Sequence, residues 1–453
     1  MEQFKINMRK FIRNMSVMQK IFLGYLSTIV VGTILLLLPV SSRAGSVPFS
    51  DALFTSTSAA CVTGLIRFDT WSTWTLFGQI ILLLLIQVGG IGFMTVAIMI
   101  MTMTGKKIGL NPRVMMQNAI SAPQVGGITG VARFILKGTF LVEGTGAVLL
   151  AVYYIPKFGL LEGIWCSVFH SISAFCNAGF DLMGQVEPGS SMITIAGNWY
   201  VNTVLILLIV IGGIGFFVWR DLIDQKFRFK GLRLQSKIAL AMSAFLLVSG
   251  AIAIFLLEMG GEAYASMGTG KQILVSIFQS VTCRTAGFNT IDFAKLSSAS
   301  HLVMIGLMLI GGSPGSTAGG MKTTTAAVQL LTVVAVFKGR KEVDVFRRSI
   351  EDSVVRTASC VTTIYLFLAL VSAYIVSAVE GVPIITALFE TASAVATVGA
   401  TIGLTGSVGM VTKYILIALM IFGRAGSLTI LVAFSSGNKK VQSKFPVEKV
   451  QVG

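Results

Sequence analysis

The sequence predicts an all-α membrane protein built from four similar hairpins. Three observations carry that expectation: an apolar composition, a fourfold internal repeat, and a segregated charge. The chain has 453 residues, 54% of them hydrophobic, with a mean hydropathy of +0.83. Charged residues make up 12%, about half of the ~25% usual in soluble domains. A soluble fold of this size could not hide so much apolar surface, so the solvent is largely lipid. That excludes a water-soluble enzyme, a nucleic-acid binder and a disordered chain. The net charge of +16 would suggest nucleic acid in a soluble protein; here it reads as topology. Cys61, Cys166, Cys176, Cys283 and Cys360 are odd in number, form no CxxC and accompany only two His, so neither a disulfide scaffold nor a zinc site is expected. Residues 21–38 follow a basic start, but Leu38-Pro39-Val40 is no small-residue cleavage site, and the segment is kept as a span.

The repeat organises everything else. A phrase of Phe, a polar residue and Ser or Thr, closed by Gly, recurs four times. The copies are Phe54-Thr55-Ser56 with Gly64, Phe169-His170-Ser171 with Gly179, Phe278-Gln279-Ser280 with Gly287, and Phe389-Glu390-Thr391 with Gly399. The offsets from Phe to Gly are 10, 10, 9 and 10. A second phrase follows: Gly89-Gly90-Ile91-Gly92 lies 25 after its Gly, Gly311-Gly312 lies 24 after, and Gly423-Arg424-Ala425-Gly426 lies 24 after. Gly212-Gly213-Ile214-Gly215 lies 33 after, because its outer loop is longer.

Each copy opens with a long apolar run, at 21–38, 134–155, 238–257 and 357–379. A short segment ending at the crest Gly follows, and then a second run, at 76–104, 199–219, 302–337 and 414–436. Runs near 20 residues cross about 30 Å of hydrocarbon at about 1.5 Å per residue. The short segment, such as Asp51–Ala60, cannot cross and must return on the side it entered. Irregular backbone at membrane depth is tolerated only where protein or water lines it, so the limb after each short helix should line an aqueous path. Two crossings per copy leave all four pointing the same way, with their axis along the membrane normal. Inverted repeats would require the opposite arrangement.

Charge sets the orientation. Basic clusters occur at Lys5/Arg9/Lys10/Arg13, Lys106/Lys107/Arg113, Lys226/Arg228/Lys230/Arg233, Lys338/Arg340/Lys341/Arg347/Arg348 and Lys439/Lys440/Lys444. The positive-inside bias places these, and both termini, in the cytoplasm. The opposite loops hold Asp51, Asp69, Glu162, Asp181, Glu187, Glu258, Glu262, Asp292 and Glu380, giving an outer mouth that mildly attracts cations.

The crest sequences are Cys61-Val62-Thr63-Gly64-Leu65, Cys176-Asn177-Ala178-Gly179-Phe180, Arg284-Thr285-Ala286-Gly287-Phe288 and Ala396-Thr397-Val398-Gly399-Ala400. None offers a carboxylate. Small residues and Gly suit a backbone that turns its carbonyls inward, and a ring of carbonyls can replace a cation's hydration shell. The C-terminal dipole end of each short helix would favour a cation there. The candidate filter is therefore Val62, Thr63, Gly64, Asn177, Ala178, Gly179, Thr285, Ala286, Gly287, Thr397, Val398 and Gly399. The fold class in full is four membrane-pore-membrane (M1-P-M2) repeats with pseudo-fourfold symmetry around a central ion pore.

These residues resemble a family. Cys283-Arg284-Thr285-Ala286-Gly287-Phe288-Asn289, Gly89-Gly90-Ile91-Gly92-Phe93 and Phe422-Gly423-Arg424 look like the Trk/Ktr/HKT potassium translocators, most closely the bacterial Ktr membrane subunits of the KtrB/KtrD type. The resemblance covers nearly the whole chain. It implies potassium as the substrate, with sodium as an activator, and no covalent cofactor. Gly at all four crests goes with potassium in that family, whereas Ser at the first goes with sodium. It implies a homodimer with one pore in each protomer, in the cell membrane. It also implies a cytosolic KtrA/KtrC-like RCK octamer, the ring on which ATP or ADP binds. Cys61, Cys176 and Cys283 near three crests depart from the pattern and suggest sensitivity to thiol reagents.

The second run of the third copy, 302–337, is too long for one straight crossing. At its middle lie Gly311, Gly312, Ser313, Pro314, Gly315, Ser316, Thr317, Ala318, Gly319 and Gly320, which cannot hold a continuous helix. This is read as a loop across the pore, and the resemblance implies a gate there. The run Gly315 to Gly320 before Met321-Lys322-Thr323 nearly matches a phosphate loop, but an extra Met intervenes and no strand precedes it. Lys322 and Arg424 are intramembrane cations and hence functional candidates, with Arg424 expected to hold the 312–319 carbonyls. Glu143 needs a partner from another helix or a proton, and Glu390 is expected to brace its own short helix.

The expected segments are a cytoplasmic start at 1–17, repeats at 18–107, 108–229, 230–341 and 342–437, and a cytoplasmic tail at 438–453. The expected activity is potassium uptake through a channel-like pore. The alternative is a sodium-coupled symporter using the same filter. No Ser/His/Asp set, HExxH or paired carboxylates at membrane depth support a membrane enzyme.

Overall fold

The computed structural model describes residues 15–92, 94–97, 99, 109–119 and 127–426. The basic residues at 5–13, 106–107 and 439–444, together with Phe93, lie outside the described residues.

The first quarter comprises α1 (Val17–Leu36), α2 (Phe49–Ala60) and α3 (Leu76–Ile91). A connecting helix, α4 (Leu110–Ala119), leads to the second quarter: α5 (Ile128–Phe158), α6 (Leu160–Phe175), α7 (Trp199–Ile214) and α8 (Phe216–Asp224). The third holds α9 (Leu234–Glu258), α10 (Thr269–Thr282), α11 (Ser298–Leu309) and α12 (Thr323–Phe337). The fourth holds α13 (Asp352–Glu380), α14 (Ile384–Val395) and α15 (Met410–Ala425). Between α12 and α13 a small antiparallel hairpin pairs β1 (Val343–Val345) with β2 (Arg348–Ile350), a feature the apolar pattern does not announce.

Among the described residues, the helices long and apolar enough to cross a membrane are α1, α5, α9 and α13, which open the four quarters. Each short helix is pinned to its long one by the Ser or Thr of the recurring phrase. Ser56 Oγ donates to Ile29 O at 2.8 Å, Ser171 Oγ to Glu143 O at 2.6 Å, Ser280 Oγ to Leu247 O at 2.8 Å and Thr391 Oγ1 to Ala369 O at 3.1 Å. In lipid a helix carbonyl has no water to turn to, so a hydroxyl at that point locks the pair of helices together.

The second runs correct the expectation of unbroken crossings. Helices α3, α7 and α15 each have 16 residues, about 24 Å at 1.5 Å per residue. They stop at Gly92, Gly215 and Gly426, whose φ values are +87°, +105° and +84°. Only Gly reaches such dihedrals without strain. The fourth residue of the recurring Gly motif is therefore a designed stop. After Gly215, α8 leaves α7 at 90°. In the third quarter that slot is Pro314, within the loop between α11 and α12.

Several outer carboxylates have structural duties that the composition conceals. Asp51 Oδ1 accepts from Lys413 Nζ at 2.6 Å and Arg67 Nη1 at 2.9 Å. Glu258 Oε1 accepts from the Ser297 amide at 2.9 Å and from Ser300 Oγ at 2.5 Å, capping α11. Glu380 Oε1 accepts from the Gly409 amide at 2.9 Å, capping α15.

Candidate selectivity filter and gate

The C-termini of α2, α6, α10 and α14 converge, capped by Cys61, Cys176, Cys283 and Ala396. The limbs that follow share one conformation. Val62, Asn177, Thr285 and Thr397 have φ of +55°, +58°, +66° and +53°, and Gly64, Gly179, Gly287 and Gly399 have φ of +88°, +68°, +80° and +89°. For a residue with a side chain the left-handed region costs roughly 1–2 kcal/mol. Four such residues at matched positions mean that the fold imposes the conformation.

The four limbs form a closed ring. A Cβ on Gly64 would sit 2.5 Å from Ala178 O, one on Gly179 2.8 Å from Ala286 O, and one on Gly287 2.5 Å from Val398 O; one on Gly399 would strike Thr63 O. Each crest Gly therefore abuts the carbonyl that precedes the next quarter's Gly. The twelve residues of the candidate filter are brought together around one axis, with the four quarters facing alike.

A second hydroxyl, four residues after each Phe, braces the ring, and the sequence reading missed it. The bracing divides two and two: Ser58 Oγ and Ser393 Oγ accept the Gly64 and Gly399 amides at 3.1 Å, whereas Ser173 Oγ donates to Phe180 O at 2.6 Å and Thr282 Oγ1 to Phe288 O at 2.7 Å. The repeated Ser or Thr at this spacing was the available signal. The polar residue after each Phe has a different duty from the one expected of Glu390. His170 Nε2 accepts the Leu182 amide at 3.0 Å, and Gln279 Nε2 donates to Thr290 Oγ1 at 2.8 Å. Glu390 accepts from Thr401, from the Ile402 amide at 3.0 Å and from Thr405 at 2.6 Å. These side chains hold the limb descending from the crest rather than their own helix.

The third quarter's second run is interrupted between Leu309 and Thr323, and the interruption packs against its neighbours. Its strand-like ends meet where Ile310 bridges Met321 and the Gly311 amide donates to Met321 O at 2.8 Å. The loop of Gly311 to Gly320 then touches the second quarter, through the Ser313 amide to Gly213 O at 2.9 Å and Thr317 Oγ1 to Phe175 O at 3.0 Å. It touches the fourth through Gly319, which lies against Thr397 Oγ1. Ser313 and Thr317 are fully buried. Arg424 Nη1 donates to Thr317 O, and its Nη2 to Gly89 O and to Gly90 O at 3.2 Å. This residue thus ties the loop to the first quarter. Lys322 Nζ folds back on Ala318 O at 2.8 Å. Arg284 reaches Ser243 O and Gly311 O, each at 3.4 Å, a contact with the loop's first residue that the motif reading did not assign.

Glu143 finds its partner on another quarter: Gln87 Nε2 donates to both carboxylate oxygens at 3.0 Å. Cys61, Cys176 and Cys283 are buried behind the limbs, which removes the expected access for thiol reagents. Cys176 Sγ faces Gly90, whose Cβ would come within 2.5 Å of it. Among the described residues no group of three or more His, Cys, Asp or Glu could hold a metal ion.

The chain is 38% identical to the potassium/sodium uptake protein NtpJ of Enterococcus hirae over 98% of its own length and 99% of that protein's. It is 36% identical to the Ktr system potassium uptake protein B of Bacillus subtilis, over 96% of each. The crystal structure of the potassium transporter TrkH from Vibrio parahaemolyticus superimposes with a TM-score of 0.70 at 20% identity, covering 90% of this chain and 84% of that one, and so shares its fold. The TrkH family model, described as a cation transport protein, matches residues 7–443, and the chain therefore belongs to the TrkH family of membrane cation transport proteins.

Proposed function

We propose that this chain takes up potassium through a channel-like pore, as the ion-translocating subunit of a Ktr-type system. The observation that carries the reading is the closed ring in which each crest Gly abuts the next quarter's carbonyl. Four limbs of one conformation present peptide oxygens and no carboxylate, the chemistry that exchanges a cation's water for carbonyls. The names of the Enterococcus and Bacillus relatives support potassium as the ion. The driving force is the membrane potential, worth about 2.3 kcal/mol per charge per 100 mV. The sodium-coupled symporter is not favoured by the comparisons.

In this reading Val62 to Gly64, Asn177 to Gly179, Thr285 to Gly287 and Thr397 to Gly399 form the filter. The loop of Gly311 to Gly320, Lys322 and Arg424 form the gate, which Arg424 latches through Thr317 O and Gly89 O. The repeats divide at 18–107, 108–229, 230–341 and 342–437, with both termini cytoplasmic. Regulation comes from a cytosolic nucleotide-binding ring, and two protomers pair, each with its own pore.

Gly64→Ser tests the filter. A Cβ there lies 2.5 Å from Ala178 O, so the side chain displaces an oxygen of the ring. Competitive uptake of potassium and sodium should show selection reduced by about tenfold, equivalent to ~1.4 kcal/mol. Unchanged discrimination in a variant present at normal amount would remove these residues from the filter.

A further inference from the structure

The left-handed residue of every limb packs against its own quarter's Gly motif, and in the second quarter it also hydrogen-bonds the loop. A Cβ on Gly89 would lie 2.8 Å from Val62 Cγ2, one on Gly212 3.0 Å from Asn177 Oδ1, one on Gly311 3.2 Å from Thr285 Cγ2, and one on Gly423 2.9 Å from Thr397 Cγ2. Val62 and the two Thr present a methyl group there, whereas Asn177 presents an amide engaged at both ends. Its Nδ2 donates to Arg284 O of the third quarter at 3.2 Å, and its Oδ1 accepts from Thr317 Oγ1 of the loop at 3.3 Å. The hydroxyls of Thr285 and Thr397 are buried and find no partner among the described residues. Thr317 is itself held on every side. Its amide donates to Gly212 O at 3.3 Å, its hydroxyl also reaches Phe175 O at 3.0 Å, and its carbonyl accepts from Arg424. A hydroxyl has one proton, so Phe175 O and Asn177 Oδ1 share it. Arg284 closes the circuit, because its Nη2 reaches Gly311 O at the other end of the loop at 3.4 Å. Asn177 and Thr317 are 1% and 0% exposed, so a bond lost here is not made good by bulk water.

We propose that Asn177 is a positioning residue that makes ion selection depend on the loop: through its amide, Thr317 holds the second limb to the third. The inference rests on the filter and gate readings above. With Thr317 in place the amide is fixed at both ends. When the loop moves away, Oδ1 loses its donor and the side chain can turn from Arg284 O, which immediately precedes the filter residue Thr285. The two limbs then lose their polar tie. A ring of carbonyls discriminates between cations through the number and placement of its oxygens, so limbs that loosen select less.

The test is potassium-over-sodium selection, measured as competitive uptake by cells carrying the full chain, with its amount in the membrane followed in parallel. Thr317→Val removes the hydroxyl from a residue outside the filter. Selection should fall about fivefold, the equilibrium factor of one net hydrogen bond. Thr317→Ala should do the same, which keeps the test available if the first variant is scarce in the membrane. Thr317→Ser keeps the donor and should retain the original selection. Asn177→Val, which copies the residue type of Val62 in the first limb, should lower selection at least as much, and adding Thr317→Val to it should lower it no further. The proposal is overturned if Thr317→Val and Thr317→Ala change the uptake rate alone and keep the original selection. It is equally overturned if the double variant falls by the product of the two single factors. Gly64→Ser judges the filter separately: a fall in selection with that variant but not with Thr317→Val refutes the coupling and leaves the filter standing.

Discussion

At the crest the first and third quarters are nearly interchangeable. Gly64 and Gly287 take the same left-handed turn, and each would drive a Cβ to 2.5 Å from the following quarter's carbonyl. One turn lower they diverge. In the first quarter α3 ends at Gly92, while in the third the chain leaves α11 at Leu309 and enters α12 only at Thr323, its loop packed against the second and fourth quarters. The second residue of the Gly motif sets the fourth quarter apart as well: it is Gly90, Gly213 and Gly312 in three quarters and Arg424 in the fourth. On the proposed reading, equal surroundings suit backbone oxygens that surround an ion, and unequal ones suit a single segment that is held and released.

The contrast can be broken at several points. The largest effect is expected above the crest, where Lys413 of the fourth quarter is buried against Asp51 of the first. Removing one partner of a buried pair typically costs about 3 kcal/mol or more, so Lys413→Ala should lower the apparent melting temperature in detergent more than any single crest-hydroxyl variant. A smaller loss would mean that Arg67 alone satisfies Asp51. Next comes the layer beneath. Deleting residues 313–317 should raise tracer potassium uptake by about tenfold, ~1.4 kcal/mol of closure. Arg424→Ala should do the same to a lesser degree, and no rise in either would deny the loop a gating role.

The pinning hydroxyls offer a finer measurement. Ser56→Ala and Ser171→Ala each remove one hydrogen bond to a long helix, and Ser280→Ala removes a hydroxyl shared between Leu247 O and, at 3.4 Å, Leu246 O, each for about 1 kcal/mol. If the quarters are equivalent at this depth the three losses should match, and a threefold spread would show that they are not. The smallest effect belongs to Asp181 in the outer loop. Burial, aided by the nearby Asp69 charge, pushes its carboxyl up from 3.8 to about 6. The folded state then binds a proton more tightly than the unfolded chain, so this group's stabilising contribution is complete below about pH 4 and lost as pH rises through 6. Between pH 7 and pH 5 the wild-type protein should gain more thermal stability than Asp181→Asn.

Much of this was legible in the sequence because the repeat is written in residue types. The Phe-to-Gly spacing located every crest, and the run of Gly around Pro314 located the loop. The breaks at Gly92, Gly215 and Gly426 were not legible, because apolar residues continue past them and hydropathy averages over a single Gly. The left-handed Val62 and Thr397 were equally hidden, since β-branched residues resist that conformation when free and adopt it here only because the ring closes around them. The two-and-two division outside the crest was beyond the sequence for a simpler reason. Ser58 and Ser173 are the same residue at the same position, and only their hydrogen-bond partners tell them apart.

The position of Arg424 has a consequence for how such an assembly can be encoded. Were the hole made by four identical polypeptides, an Arg at that slot would appear four times, and four guanidinium groups would crowd under a passage meant for cations. Joining the copies into one gene product lets a lone positive charge stand on one side only, so covalent fusion is what permits a one-sided tie such as Arg424 makes to Thr317 and Gly89.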